Sequence, residues 1–210
     1  MPETIVSLYS EKTRRFYKLF KTDDFPALEI SGIRMHCVQE TSPKKSTYGM
    51  VEPLKPIYGV ALDCCACLGY TAIALSKEKN ISKVFTFEKD TNVFELAKQN
   101  PASEQLFNSK KIGFALADIA EQIINFRNDF FDCILHDPPS IKIAGELYSL
   151  DFYRQLFRVL KQRGKLFHYT GNPSGRGGND VMKGVMRRLQ EAGFRTVKRM
   201  EKSKGILALK

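Results

Sequence analysis

The stretch VALDCCACLGYTAIAL, residues 60–75, decides how the rest of the chain is read. A short apolar run closes on Asp63, a tight turn with Gly69 follows, and YTAIAL then has helical spacing. The pattern is strand, turn, helix, and backbone N–H groups at such a helix start can cradle an anion. Gly69 permits close backbone approach and Ala72 close packing of helix on strand. Outward from it the alternation repeats. KVFTFE precedes TNVFELAKQN, KIGFAL precedes IAEQIINF, FDCILH precedes LYSLDFYRQLFRVLK, and KLFHYT precedes VMKGVMRRLQEA. RTVKRME and GILALK follow with no room for a crossover helix, so they pair antiparallel. Gly164 and Gly193 stand where helices are expected to stop. The prediction is an α/β fold, an open doubly wound Rossmann-like sheet of seven strands with a reversed terminal β-hairpin.

Residues 1–57 read as a small β-rich extension and 58–210 as the main domain. In the extension, RFYKLF is one strand, and LEI and IRMHCV flank Ser31-Gly32 as a hairpin. Thr47 to Leu54 is predicted as a short helix ending near Pro53 and Pro56.

Composition narrows the function classes. Hydrophobic residues at 43% and charged residues at 27% describe a soluble globular chain. No apolar run approaches the roughly 20 residues of a spanning helix, and MPETIVSLYSEKTRR lacks the apolar core of a secretory signal. Five cysteines, three crowded at 64, 65 and 67, are a poor disulfide framework, which leads us to expect free thiols and a cytoplasmic protein. The net charge of +10 is uneven: the last sixty residues hold fifteen Lys/Arg against four Asp/Glu. That asymmetry suits either RNA, through counterion release, or a merely solvated basic face.

Open α/β sheets bind ligands beyond the carboxyl ends of their strands, so the candidate residues are sought there. Glu88 closes the second strand, twenty-one residues after Cys67, where a carboxylate can accept hydrogen bonds from both hydroxyls of a ribose; Lys89 follows it. Asp118 closes the third strand and suits an exocyclic adenine amine. The fourth strand ends in His136-Asp137-Pro138-Pro139-Ser140, whose prolines stiffen the turn and leave the Asp137 carboxylate and the Pro138 carbonyl as fixed acceptors for an amino group. Standing alone, Asp-Pro-Pro could simply end a strand. Tyr148 either closes the site or packs the next helix. His168, near the fifth strand's end, either lines a substrate pocket or is structural. The glycine-rich TGNPSGRGGN with Arg176 is expected as a loop over the same rim. Cys64, Cys65 and Cys67 have no second Cys or His pair at ligand spacing, and no metal site is expected.

These motifs together resemble a class I S-adenosylmethionine-dependent methyltransferase. More narrowly, LGYTAI, EKDTNVFELA, HDPPS and GELYSLDFYRQL resemble the archaeal methyltransferases described as related to spermidine synthases. The resemblance spans nearly the whole chain. It implies S-adenosylmethionine as cofactor, held by the loop from Asp63 through Cys65 and Cys67 to Gly69, with Glu88 on the ribose, Lys89 adjacent and Asp118 at the adenine. It implies Asp137 as the catalytic group facing the methyl, with Pro138, Ser140, Tyr148 and His168 on the substrate side. Cys67 departs from the family pattern, which has glycine there, and a side chain disfavours positive φ. Ser140 stands where amino-methylating relatives carry an aromatic residue.

The expected activity is methyl transfer to a nitrogen nucleophile, RNA being the favoured substrate. Aminopropyl transfer from the decarboxylated donor and a non-catalytic RNA-binding module are the alternatives. Backbone N–H groups between Cys65 and Tyr70 suit the carboxylate of the intact donor. A polyamine acceptor would call for more acidic groups than Asp137, Glu146 and Asp151 supply against Lys142, Arg176 and the basic tail.

Overall fold

A computed structural model describes residues 3–171 and 178–210. The expected rim loop falls largely on 172–177, outside the described residues. The chain opens with an antiparallel meander of β1 (Thr4–Ser10), β2 (Arg15–Phe20), β3 (Ala27–Ile30) and β4 (Ile33–Arg34). The strand at Thr4–Ser10 escaped prediction because it lies half exposed, without a clean alternation. Helix α1 (Pro43–Val51) starts four residues before the predicted Thr47, since the Ser42 hydroxyl caps it by accepting from the Lys45 N–H and Pro43 occupies its first turn. A 3-10 turn, Glu52–Leu54, ends it.

The main sheet then builds from β5 (Gly59–Asp63), α2 (Tyr70–Lys77), β6 (Ile81–Glu88), α3 (Thr91–Lys98), α4 (Glu104–Asn108), β7 (Ile112–Leu116), α5 (Ile119–Gln122), β8 (Phe131–His136), α6 (Leu150–Val159), β9 (Leu160–Tyr169), α7 (Gly178–Glu191), β10 (Thr196–Met200) and β11 (Gly205–Leu209). The strand order is β10-β11-β9-β8-β5-β6-β7. The strands from β9 to β7 run parallel, and β10 and β11 are antiparallel. This is the predicted open, doubly wound Rossmann-like sheet of seven strands with its reversed terminal hairpin. The order reverses between β5 and β8, which fixes the ligand crevice at their carboxyl ends.

Two local expectations need correction. Gly193, at φ 113, does follow the end of α7, but Gly164 stops no helix: α6 ends at Val159, and Gly164 lies within β9. A side chain at 164 would meet Leu160 Cδ1 at 2.6 Å, because the chain folds tightly at Arg163, φ 63. The IRMHCV strand is only Ile33–Arg34, although the Met35 N–H still bonds the Leu28 carbonyl.

Apolar side chains pack on both faces of the sheet. One cluster joins Tyr17, Leu19 and Leu28 of the meander to Leu68, Tyr70 and Leu75 at α2. The other lies beneath α6 and α7 around Phe131, Tyr153 and Leu189. The first cluster also takes in Leu54, Ile57 and Ala61, so side chains before and after residue 57 pack together, and Ile30, Ile33 and Met35 line the crevice.

Candidate active site

At the crevice the chain encloses a cavity of ≈ 260 Å³. Its floor is the loop after β5. There Cys64 N–H donates to the Leu135 carbonyl (3.0 Å), Ala66 N–H to Phe87 (2.7 Å) and Gly69 N–H to Ala66 (2.6 Å). Cys67 N–H donates to Glu88 Oε2 at 3.0 Å. Cys67 takes φ 48, so the backbone keeps the left-handed shape that glycine would favour there. Gly69 is required for a different reason than ligand approach: a Cβ would lie 2.7 Å from Leu106 Cδ2 of α4. With Ala66, Cys67 and Gly69 already donating inside the fold, the anion cradle expected between Cys65 and Tyr70 is narrower than the sequence suggests.

The carboxylates of this region differ in employment. Asp63 is fully buried and accepts from Thr71 Oγ1 (2.9 Å) and Thr86 Oγ1 (2.6 Å). Burial pushes its carboxyl up to about 7, against the pull of the two hydroxyls and with a smaller push from Glu88. It ties β5, β6 and α2 together and is not on the cavity wall. Glu88 is on the wall, with Oε1 accepting from Asp90 N–H (2.8 Å). Burial raises its carboxyl while those N–H groups hold it down. Asp118 caps α5 through Ala120 N–H (2.9 Å) and meets Lys89 Nζ (3.2 Å), which also reaches Glu146 (3.0 Å).

Asp137 lines the cavity and accepts no hydrogen bond among the described residues. Burial, and next the Asp63 carboxylate, pushes it up to about 7. The turn carrying it is stapled from both sides. His136 Nε2 lies 3.0 Å from the Leu147 carbonyl, and Tyr148 Oη donates to the Pro139 carbonyl (3.0 Å). His136 Nδ1 is buried without a partner among the described residues, so the proton sits on Nε2. Burial drops this imidazole to about 4, keeping it neutral.

Cys65, Cys67, Glu88, Lys89, Asp118, Asp137 and Pro138 therefore meet on one wall. Asp63, Gly69 and Tyr148 stand behind it, and Ser140 is exposed outside it. His168 is not with them. It is fully buried beside Tyr153 Oη (2.9 Å) and the Tyr169 carbonyl (2.8 Å), because successive side chains of β9 alternate faces. Tyr169, its neighbour, faces the meander side, 3.9 Å from Cys37. The thiols of Cys65 and Cys67 are pushed up by burial and then by nearby acidic groups, which keeps them protonated.

Sequence reasoning missed the opposite wall. It comes from the meander and α1: Arg15, Ile30, Ile33, Met35, His36 and Met50. Tyr17 Oη clamps it to the sheet by donating to Asp90 Oδ2 at 2.6 Å. Nothing in the local pattern announces a wall made by strands some fifty residues upstream.

Comparison with known proteins agrees with this architecture. No protein-family model matches the chain. Spermidine synthase from Thermotoga maritima superposes with TM-score 0.74 at 20% identity, over 99% of this chain and 72% of that one. A spermidine synthase in complex with the transition state analogue AdoDATO gives 0.77 at 19%, over 99% and 73%. MnmC2 from Aquifex aeolicus gives 0.66 at 20%, over 91% and 70%. At such identities the likeness is one of fold. No helix among the described residues is long and apolar enough to cross a membrane. The uncharacterized protein MJ1233 of Methanocaldococcus jannaschii is 46% identical over 197 residues, 93% of this chain and 67% of that protein, and the chain belongs to its family.

Proposed function

We propose that this protein is an S-adenosylmethionine-dependent methyltransferase acting on a nitrogen nucleophile. The observation that carries the reading is the pairing, in one cavity, of a fixed carboxylate with an unengaged one. Glu88 is held by the N–H groups of Cys67 and Asp90, and Asp137 has no hydrogen-bond partner among the described residues.

The residues present fit the cofactor. Each Glu88 oxygen accepts one N–H and keeps a lone pair for a ribose hydroxyl. Phe87, Ile119 and Leu147 offer apolar contact for a base, and Asp118 lies beside them. When bound, S-adenosylmethionine supplies an electrophilic methyl group on its sulfonium. Asp137 then orients the amine and accepts the proton it loses, a role suited to a carboxyl poised near neutral pH. Pro138 and Pro139 hold that turn rigid, and its staples to Leu147 and Tyr148 fix the direction of attack.

RNA is the acceptor class we propose for the basic C-terminal region. Arg187, Arg195, Lys198 and Arg199 are exposed on α7 and around β10. Other cations of this region work inside the fold: Arg158 on the Ile123 and Phe126 carbonyls, Lys161 on Asp132, Lys165 on the Leu54 and Lys55 carbonyls, Lys204 on Glu40 and Lys210 on Asp129. RNA affinity should fall steeply with salt, and removing a contacting charge should reduce the slope by about one. Salt-independent binding would leave Lys198 and Arg199 as guards of an edge strand.

Aminopropyl transfer is the second reading, favoured by the likeness to spermidine synthases. Competition binding of S-adenosylmethionine against its decarboxylated form separates the two. Tighter binding of the decarboxylated donor, with polyamine turned over, would overturn the methyltransferase reading.

A further inference from the structure

The acidic groups of the cavity are nearly all engaged. Glu88 accepts from Cys67 and Asp90 N–H, Asp90 from Tyr17 and Asn92, and Asp118 from Lys89 and Ala120. Only Asp137, among the described lining residues, offers a carboxylate with no partner. A linear polyamine brings two or more ammonium groups into the site, and each needs an acceptor to offset its desolvation. One free carboxylate serves one amine.

The opposite wall has a different character. Ile30, Ile33 and Met35 from the meander and Met50 from α1 make it apolar, and Arg15 at its edge forms no ion pair among the described residues. Of its polar side chains, Ser31 accepts from the Phe16 N–H and Thr47 donates to the Pro43 carbonyl, while His36 keeps one ring nitrogen unengaged among the described residues. The Leu28 N–H donates to His36 Nδ1 at 3.2 Å, so the ring proton is on Nε2, which has no partner among the described residues. Burial draws this imidazole down to about 4, so it donates as a neutral group at physiological pH. The ring is further fixed against Tyr70, with centroids 5.2 Å apart.

We infer that the acceptor is a single amine carried by an aromatic body, seated on the wall of Ile30, Ile33, Met35 and Met50 with His36 as its hydrogen-bond donor, and that linear polyamines are excluded. Flat aromatic bodies gain most from such a wall, and an oxygen or ring nitrogen on the body gives the His36 N–H its partner. This inference rests on the donor site proposed above. The same chemistry is met in a nucleobase of RNA and in a free aromatic amine.

The test is calorimetry on the full chain saturated with S-adenosylhomocysteine, titrated with tyramine, putrescine or a single-stranded oligoribonucleotide. The first titration, of S-adenosylhomocysteine itself, reports on the donor reading alone; if it fails, that reading fails and not the wall. Tyramine, or the oligoribonucleotide, is expected to bind at least tenfold tighter than putrescine. Competition between the two identifies the nucleobase as the body, and tyramine binding without competition identifies a free amine. Ile33→Glu, at a position 50% exposed and therefore safe for folding, should weaken the aromatic probe several-fold and strengthen putrescine. His36→Phe should weaken the aromatic probe, and His36→Gln, which keeps an N–H donor, should recover part of the loss. Putrescine binding as tightly as the aromatic probes, no aromatic probe binding at all, or an Ile33→Glu variant with unchanged preference would each overturn the inference.

Discussion

The Cys67 backbone N–H donates to Glu88 Oε2 at 3.0 Å, across twenty-one residues of sequence. This bond joins the loop after the first parallel strand to the end of the second. It holds the Glu88 carboxylate in one orientation, so in the proposed ribose-binding role the entropy of orienting it is already spent. The turn at Cys67 is left-handed, φ 48, the backbone shape that glycine favours, and the cysteine holds it while its N–H reaches Glu88.

Glu88→Ala should weaken S-adenosylhomocysteine binding tenfold or more, as expected for charge-assisted hydrogen bonds worth on the order of 1.5 to 3 kcal/mol. Calorimetry on the folded variant measures it. Unchanged affinity would remove Glu88 from the ribose site.

Substitution at residue 67 tests the loop. Cys67→Gly should leave ligand affinity within a few fold, because the backbone already has glycine's shape. Cys67→Val puts a β-branched side chain at positive φ and should cost about 1 to 2 kcal/mol in urea unfolding. If valine proves neutral, the left-handed turn is not required.

Asp137→Asn should reduce methyl transfer about a hundredfold while S-adenosylhomocysteine affinity changes little. In the wild type, only ionised Asp137 can accept the amine's proton. With its carboxyl pushed up to about 7, the rate should rise through neutral pH and level off above it. A rate already flat from pH 5 upward would mean that Asp137 does not take the proton.

Asp63 should leave its mark on stability. Its ordinary value is 3.8 and its folded value about 7, so between those pH values the folded chain holds a proton that the unfolded chain has released. Stability from this group is fully present below about 3.8 and is lost as pH rises through 7, by up to about 4 kcal/mol. Asp63→Asn should flatten that decline. Denaturant unfolding of both proteins at pH 4, 5.5 and 7 compares them, and parallel pH profiles would show that Asp63 is ionised throughout.

Much of this was written locally. Strands of about five residues alternating with helical spacing gave the parallel sheet, because period two and period 3.6 are properties of neighbours along the chain. The residues closing those strands, Glu88, Asp118 and Asp137, were legible for the same reason, since strand ends in such a sheet face the crevice. What tertiary structure decided is which of two faces a residue meets and which partners it acquires. His168 and Tyr169 are adjacent, yet one is buried against Tyr153 and the other faces Cys37, and that choice depends on how β9 sits between β8 and β11. Asp63 reads as a ligand residue until the hydroxyls of Thr71 and Thr86 close around it. The wall of Ile30, Ile33, Met35 and His36 exists only because the meander folds back over the crevice and Tyr17 anchors it on Asp90, 73 residues away. Such contacts are set by the packing of the whole core, which no local periodicity encodes.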